Sequence, residues 1–388
     1  LIFIIFNQKY FMKKQILILI SILLNNYMLA QCNGRYEIEI FNSVNKTTVN
    51  YSDIYNDNEH KMDIYTPDGD TEINRPVILY MHGGSFTAGD KSTSDCVDFC
   101  ESFAKMGYVT ASLNYRLAPN IINFLTSNET QYETVLKAVS DAKAAVRYFR
   151  KDFANGNSYA IDPNAIFVGG YSAGAVIAIH QAYIDSVIDL PTSSIDNNGN
   201  AFNVQSIVNN VGGAYGIEGD AGNYGYSSDV NGVISFAGGI NDVNWIDNND
   251  EPLVSIQGTN DGTISYNCAP ALSSSLVLNL CGAAEMHLQA DLAGVLNDKL
   301  IYSGEGHSWA ANGSNNSKFT QAIEFTSNFL FPLLPCNNTA TNVMEVTEKN
   351  KRLVKIIDVL GRASNIMTNR PLFYIYSDGS TEYKIIIK

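Results

Sequence analysis

Basic residues are scarce in this chain, and their scarcity excludes one large class of partners. The 388 residues include 25 Lys and Arg against 39 Asp and Glu, which gives a formal net charge of -14. Proteins that bind nucleic acid neutralise its phosphates with clustered Lys and Arg, so we expect no nucleic-acid partner. Charged residues make up only 16% of the chain and hydrophobic residues 45%, a balance that favours a globular protein over a disordered one.

Long apolar runs are also missing. The apolar run Ile16–Leu24 is shorter than the ~20 residues that a membrane-spanning helix needs, so we expect no stable membrane insertion. It follows Met12-Lys13-Lys14 and precedes Ala30, which is the order of a secretory signal peptide. We therefore predict a signal peptide over Met12–Ala30, with a membrane anchor as the alternative. Residues 1–11 lie upstream of Met12, and we do not expect them to form structure.

The sequence has no Cys-x-x-Cys pair and no nearby histidine cluster, so its six cysteines fit a zinc site poorly. An exported protein enters an oxidising compartment, where cysteines form disulfides. Two of the pairs that we expect are local in sequence, and the third would join the two ends of the main domain. The expected pairs are Cys96 with Cys100, Cys268 with Cys281, and Cys32 with Cys336.

From Lys61 onward, short β-rich runs alternate with helical stretches. This order predicts an α/β fold with a mostly parallel central sheet flanked by helices. Residues 134–150 place apolar side chains on one face at helical spacing, so we expect a helix there. The expected strands are 76–81, 108–113, 165–169, 232–237, 253–257 and 300–303.

Two stretches interrupt this pattern. Residues 186–226 are rich in Asn, Gly, Ser and Asp, which predicts a functional loop, a lid or an insertion, or else a plain surface excursion. Residues 336–350 are polar and without periodicity, and we interpret them as a linker. Residues 351–388 contain three strand-like runs and a hairpin signal at Asp378-Gly379, so we expect a small all-β module.

The sequence of this C-terminal module, KIIDVLGR followed by LFYIYSDGSTEYKIIIK, resembles the C-terminal sorting domains of the type IX secretion system. The resemblance implies an outer-membrane export address in a Gram-negative bacterium. We therefore expect the type IX secretion machinery to be a partner, and the protein to be secreted or held at the cell surface after passing through the periplasm.

The segment Gly170-Tyr171-Ser172-Ala173-Gly174 lies between a strand-like run and an apolar helical run. This is the pattern of a nucleophile elbow, in which flanking glycines permit a sharp strand-to-helix turn that exposes the serine hydroxyl. The start of the following helix favours negative charge close to that hydroxyl. Ser172 is therefore the predicted nucleophile. Upstream, the strand 76–81 runs into His82-Gly83-Gly84-Ser85-Phe86, an HGG-type oxyanion loop unless it is a plain glycine-rich turn.

A serine nucleophile needs a base, and the chain has only five histidines. His60 precedes the first matching strand, and His82 belongs to the glycine-rich loop. His180 lies on the helix after the nucleophile and is expected to point away along its length, and His287 lies in another helical stretch. His307 follows the strand 300–303 on a glycine-flanked loop, so it is the predicted base.

The acid that orients this base must emerge at the same sheet edge. Asp261 follows the strand 253–257 and precedes His307, which gives the chain order Ser, Asp, His. The alternative for Asp261 is a simple Asn-Asp-Gly turn. The fallback acids are Asp242, Asp247 and Glu305.

Together with MDIYTP at 62–67, NYRLAP at 114–119 and DAKAAVRYFR at 141–150, these motifs resemble the carboxylesterase branch of the α/β-hydrolases. They particularly resemble the relatives of hormone-sensitive lipase and bacterial feruloyl esterases. The resemblance covers about residues 60–331, and we take 31–335 as the catalytic domain. The resemblance implies that the backbone N–H groups of Gly84, Ser85 and Ala173 form the oxyanion hole, although Ser85 stands where a third glycine is usual.

The resemblance also implies acyl transfer through an acyl-enzyme intermediate, without a metal or organic cofactor. The expected substrates are short-chain, acetyl, aryl or polymer-linked esters. Two alternatives stay open: a serine peptidase or acyltransferase on the same fold, and a non-catalytic esterase-like binding protein. Four aromatic residues beside the motifs are expected to contact substrate, unless they belong to the core: Phe86, Tyr171, Trp245 and Trp309.

Overall fold

The structure is a computed structural model that describes residues 32–196, 199–337, 353–358, 371–376 and 381–385. These residues fall into two units, which divide between Asn337 and Asn338. The predicted signal peptide over Met12–Ala30 lies outside the described residues, and so does the predicted linker 336–350 except for its first two residues. Within the described part of the chain, no helix combines the length and the apolar character that crossing a membrane requires.

Strands and helices alternate along the first unit, as the sequence pattern predicts. The strands are β1 (Val44–Asn50), β2 (Lys61–Pro67), β3 (Arg75–Met81), β4 (Val109–Leu113), β5 (Ile161–Tyr171), β6 (Ser193–Ile195), β7 (Ala201–Asn203), β8 (Val233–Phe236), β9 (Leu253–Gly258), β10 (Cys268–Pro270), β11 (Asn279–Cys281) and β12 (Asn297–Tyr302). The helices are α1 (Ser94–Met106), α2 (Ile121–Thr126), α3 (Asn128–Ala154), α4 (Ala173–Tyr183), α5 (Val204–Gly212), α6 (Ala283–Ala293) and α7 (Ser317–Leu330).

Eight of these strands form one sheet in the order β1-β2-β4-β3-β5-β8-β9-β12. Strand β2 pairs antiparallel with β1 and β4, and every neighbouring pair from β4 to β12 is parallel. The structure therefore confirms the predicted mostly parallel sheet flanked by helices. Because parallel strands end at the same edge, the segments that follow β3, β5, β9 and β12 meet there.

The sheet is buried on both faces. Along β3, Val77 and Leu79 belong to one hydrophobic core, whereas Ile78 and Tyr80 belong to the other. Helices α3 and α4 supply residues to the first core, and α1 and α7 supply residues to the second. Side chains alternate between the two faces of a strand, so a strand covered on both sides is apolar throughout.

The polar stretch 186–226 contains regular structure where it is described. It includes the short hairpin β6–β7 and helix α5, whose buried face includes Ile207 and Val211. Two ion pairs attach the later part of this stretch to the main domain: Arg116 to Asp220 at 2.6 Å and Arg147 to Glu218 at 2.6 Å. Of the alternatives from sequence, an ordered insertion fits these contacts best.

Disulfides join Cys32 to Cys336 and Cys268 to Cys281, as expected. The expected pair of Cys96 and Cys100 is wrong, because both are buried free thiols within α1. Positions four apart on a helix hold their Cβ atoms about 5–6 Å from each other, whereas a disulfide needs about 3.5–4.5 Å. Pairing them would require the helix to unwind.

The described residues of the second unit form a three-stranded antiparallel sheet, in which the strands lie in the order in which they follow along the chain. The predicted hairpin turn at Asp378-Gly379 lies outside the described residues. The strands are β13 (Leu353–Asp358), β14 (Pro371–Tyr376) and β15 (Thr381–Ile385).

Candidate active site

Ser172 occupies a sharp turn between β5, which ends at Tyr171, and α4, which begins at Ala173. Its backbone has φ 56° and ψ -119°, a conformation that side chains rarely adopt and that is held only by strong surrounding structure. A Cβ at Gly174 would collide with the backbone of Met81, and one at Gly170 would lie 2.6 Å from the Met81 carbonyl oxygen. Both flanking positions therefore require glycine, for steric reasons.

His307 lies between Ser172 and Asp261. Its Nε2 is 2.7 Å from the Ser172 Oγ, and its Nδ1 is 2.8 Å from the Asp261 Oδ2. When Nδ1–H donates to the carboxylate, Nε2 is left to accept the serine proton. The structure thus joins the three predicted side chains in one hydrogen-bonded chain.

The Asp261 carboxylate is fixed as well as buried. Its side chain is 0% exposed, and its Oδ1 accepts the backbone N–H groups of Thr263 and Ile264, each at 2.9 Å. These two donors hold the carboxylate in place, so that Oδ2 faces the imidazole. A buried carboxylate with three hydrogen bonds can stabilise a positive charge on His307 without moving.

The sheet topology explains how distant residues meet. Ser172, Asp261 and His307 follow β5, β9 and β12, whose carboxyl ends share one edge. The fallback acids have other partners: the Asp242 side chain accepts the backbone N–H of Asn244, that of Asp247 accepts the backbone N–H of Asn249, and that of Glu305 pairs with Lys318.

The loop after β3 has the backbone of an anion-binding turn. Gly84, Ser85 and Phe86 all have positive φ angles, of 124°, 51° and 59°. In the described part of the chain, the N–H groups of Gly84 and Ser85 have no hydrogen-bond acceptor. Ala173 begins α4, so its N–H has no acceptor within the helix. These are the three predicted oxyanion donors, and each is available for a ligand oxygen.

The His82 side chain supports this loop. Its Nδ1 is 2.6 Å from the Gly83 carbonyl oxygen, and its ring stacks on Tyr115 at 4.3 Å. The Tyr115 hydroxyl donates to the His82 carbonyl at 2.8 Å. Burial lowers the pKa of the His82 imidazole, so the ring is neutral at pH 7 and acts as a rigid support.

A cavity of ≈790 Å³, which includes open solvent at its mouth, begins at Ser172. Of the four predicted substrate contacts, Phe86 and Trp245 line it. Tyr171 does not; its ring stacks on His307 at 5.3 Å and its hydroxyl donates to the His307 carbonyl at 3.0 Å. Tyr171 therefore contacts and supports His307, the predicted base.

Trp309 also lies away from the cavity. It packs in the second core against Phe236 and Tyr302, each at 5.3 Å between ring centroids. Lining residues that sequence reasoning missed include Tyr132, Leu278 and His180, whose ring faces the cavity and not the far end of the helix. The signal for His180 was present in the sequence, because positions 172, 176 and 180 share one helical face.

The comparison with known families matches residues 62–276 of the chain, more than half of its length, to BD-FAE. The chain belongs to the BD-FAE family. The matched range includes Ser172 and Asp261, whereas His307 lies beyond it.

Curated relatives of this BD-FAE protein resemble only part of it. Esterase LipI of Mycobacterium tuberculosis is 36% identical over 104 residues, which is 26% of this chain and 27% of the relative. The para-nitrobenzyl esterase of Bacillus subtilis is 30% identical over 115 residues, which is 30% of this chain and 22% of the relative. The chain thus spans about a quarter of the curated relatives that it matches.

Solved structures extend the comparison to most of the chain. A truncated carbohydrate esterase from gut microbiota has a TM-score of 0.51 at 18% identity and covers 76% of this chain and 97% of its own. A thermophilic esterase of Thermogutta terrifontis with propionate bound has a TM-score of 0.51 at 19% identity. The match covers 74% of this chain and 93% of the esterase. At these identities the likeness establishes the fold, which is that of the α/β-hydrolases.

Proposed function

We propose that this BD-FAE protein is a serine carboxylic ester hydrolase. The observation that carries the proposal is the unbroken hydrogen-bond chain from Asp261 through His307 to Ser172. It ends beside three backbone N–H groups that have no acceptor in the described protein. A nucleophile, its base and an anion site within reach of each other are the parts that acyl transfer needs.

The first half of the reaction forms an acyl-enzyme. The Ser172 Oγ attacks the ester carbonyl carbon while His307 Nε2 takes the hydroxyl proton, and the new oxyanion binds the N–H groups of Gly84, Ser85 and Ala173. The tetrahedral intermediate then collapses, the bond to the alcohol oxygen breaks, and the imidazolium gives its proton to the leaving alcohol.

The second half uses the same groups with water in place of the alcohol. His307 Nε2 takes a proton from water, and the hydroxide adds to the acyl carbon. Collapse releases the carboxylic acid and returns the proton to the Ser172 Oγ. The buried Asp261 carboxylate stabilises the imidazolium in both halves and stays ionised.

The proposed substrates are the short-chain, acetyl, aryl or polymer-linked carboxylic esters expected from the sequence, and the cavity favours those with an apolar acyl or alcohol part. Most of the residues that line the cavity are apolar, including Val176, Ile264 and Leu278. Binding an apolar group there is favourable, because it removes apolar surface of both the group and the wall from water. The structural neighbours include a carbohydrate esterase and an esterase with propionate bound, which supports esters of carbohydrates and esters of short-chain acids.

Export belongs to the proposal too. The support is the sequence over Met12–Ala30 and the likeness of the last 38 residues to type IX sorting domains. A reporter enzyme that carries residues 12–30 at its N-terminus and residues 351–388 at its C-terminus should reach the medium of a bacterium with that system, whereas the same reporter without residues 351–388 should stay in the periplasm. Retention of the reporter inside the cell would contradict the proposed address.

The hydrolase proposal is tested by assaying the purified full chain on p-nitrophenyl esters beside Ser172→Ala. We expect the substitution to remove nearly all turnover, because the oxyanion donors alone retain only a small part of the rate. Ser92→Ala, at an exposed serine away from the cavity, is the matched control and should keep full activity. Parallel assays on p-nitroanilides distinguish a peptidase, since turnover of anilides above that of esters would favour that alternative.

A further inference from the structure

The cavity follows helix α4 away from the nucleophile. Ser172, Val176, His180 and Ile184 all line it, at intervals of four residues. Residues at this spacing share one helical face. The helix rises 1.5 Å per residue, so the eight positions from Ser172 to His180 correspond to a distance of about 12 Å.

His180 is held rigidly in this wall. Its side chain is almost fully buried, and its Nδ1 lies 2.7 Å from the Val176 carbonyl oxygen, to which Nδ1–H donates. Its ring meets Trp245 edge-on at 5.4 Å, and the Trp245 Nε1–H in turn donates to the Asp189 carbonyl. Burial lowers the pKa of the imidazole to about 4, so the ring is neutral at pH 7 and its Nε2 is an acceptor.

Two other polar side chains that line the cavity, those of Gln131 and Asn241, have protein partners. The Gln131 amide donates to the Phe124 carbonyl and accepts the Leu278 N–H. The Asn241 amide donates to the Asn279 carbonyl. Among the described residues, nothing donates to the His180 Nε2. An acceptor without a donor in an otherwise apolar wall is costly unless a ligand or water satisfies it.

We propose that His180 determines specificity by accepting a hydrogen bond from a hydroxyl or N–H group at the far end of the bound substrate chain. This inference rests on the esterase proposed above and narrows its substrate class. The preferred ester has a group that is apolar along its length and ends in a donor. An extended chain advances about 1.3 Å per carbon–carbon bond, so an eight-carbon acyl group with a terminal hydroxyl reaches from Ser172 to His180.

The test compares two p-nitrophenyl esters, the octanoate and its ω-hydroxy analogue, on the full chain. We expect the wild type to prefer the hydroxyl-ended ester in kcat/KM by about tenfold, the size of one buried hydrogen bond. His180→Phe should reverse this preference, because the ring remains and the acceptor is lost. His180→Gln, which restores an acceptor, should recover part of it.

The acetate ester separates this inference from the proposed function. An acetyl group is too short to reach His180, so acetate turnover by the wild type reports on the proposed esterase site alone. Equal kcat/KM for the two octanoates in the wild type, or a hydroxyl preference that survives in His180→Phe, would overturn the role of His180. Failure of the wild type to hydrolyse the acetate and both octanoates would instead reject the esterase. If His180→Phe fails to fold, the wild-type ratio and the Gln variant still decide.

Discussion

At the scale of single residues, the hydrogen bond between His307 and Asp261 decides what His307 can do. The Asp261 Oδ2 accepts a hydrogen bond from the His307 Nδ1–H at 2.8 Å. The Nε2 atom is therefore unprotonated and is directed at Ser172. Sequence alone identified His307 by elimination among five histidines, and identified Asp261 from its place after a buried strand. The two backbone donors that fix Asp261 follow directly from the turn that begins at Gly262.

Asp261→Asn tests this arrangement. The amide oxygen of Asn can still accept hydrogen bonds from the N–H groups of Thr263 and Ile264. Its NH₂ group, however, cannot accept a hydrogen bond from the His307 Nδ1–H. We expect kcat to fall by about 10³- to 10⁴-fold with little change in thermal stability. Asp242→Asn is the matched control, because Asn can also accept from Asn244. Equal losses in the two variants would contradict the assignment of the acid.

The glycines around the nucleophile make a second residue-scale prediction. A Cβ at Gly174 would collide with the Met81 backbone, whereas Gly294 has open space at a positive φ of 80°. Gly294→Ala should therefore cost only about 1 kcal/mol of unfolding free energy, from the strained backbone. Gly174→Ala should cost at least ~2 kcal/mol more, because the clash involves backbone on both sides. Chemical denaturation measures both; similar losses would argue against the steric account.

At the scale of elements, the disulfide between Cys268 and Cys281 closes a segment that forms one wall of the cavity. Ala271, Leu272 and Leu278 lie within this segment and line the cavity. The segment also holds to the main domain through the Leu272 N–H, which donates to the Thr263 carbonyl at 2.7 Å. A covalent link across a short loop limits how far such a wall can move.

Replacing both cysteines by serine should loosen this wall. We expect the KM for the octanoate ester to rise several-fold while acetate turnover changes little, because only the longer chain contacts the segment. The closed loop has a sequence separation of 13, and its loss should reduce the unfolding free energy by about 3 kcal/mol. Treatment of the wild type with a thiol reductant should give the same KM change. The reductant also opens the Cys32–Cys336 disulfide, so the double variant is treated in parallel, and its KM should stay unchanged. A KM raised neither by the substitutions nor by reduction of the wild type would show that the disulfide does not shape the cavity.

The sequence predicted the presence of helices and strands better than it predicted the residues at which they begin and end. The strand 76–81 was readable because it is buried on both faces and apolar throughout, and β3 adds only Arg75. Helix α3 begins six residues before the predicted start, since its first turns carry polar residues that obscure the period, and Ser127 caps it. The cavity was not readable, because its walls come from separate segments whose approach is fixed by tertiary packing.

At the scale of the whole molecule, part of the excess negative charge is clustered around one polar cavity. Asp185, Asp229 and Glu251 line one polar cavity with Gln181, and the Glu251 Oε2 and both Gln181 amide atoms are buried without partners in the described chain. Burial, together with neighbouring carboxylates, raises the pKa of Glu251 to about 7. When the Glu251 carboxyl group ionises, its buried negative charge destabilises the folded state.

The stability of the protein should therefore depend on pH. Because the folded-state pKa of Glu251 is raised, the folded protein binds more protons than the unfolded chain between the two pKa values. This contribution to stability is complete below the unfolded pKa of 4.5 and is lost as pH rises through about 7. After solvent screening is considered, we expect a loss of about 1–2 kcal/mol for this group.

The check is the difference in unfolding free energy between the wild type and Glu251→Gln, measured from about pH 5 to about pH 8. The variant should be relatively more stable at the upper end of this range, because its side chain stays neutral. Asp298→Asn, at an exposed carboxylate of β12, serves as the control and should track the wild type. A constant difference across the range would contradict a raised pKa for Glu251.

The central claim is that Ser172 is the nucleophile of an acyl-transfer site, and covalent labelling tests it most directly. A structural neighbour, esterase 2 of Thermogutta terrifontis, was solved phosphorylated by paraoxon. After this chain is treated with paraoxon and digested, mass spectrometry should find one diethylphosphoryl group on the peptide that contains Ser172, and none in Ser172→Ala. Label on another residue, or the same label in the alanine variant, would contradict the account.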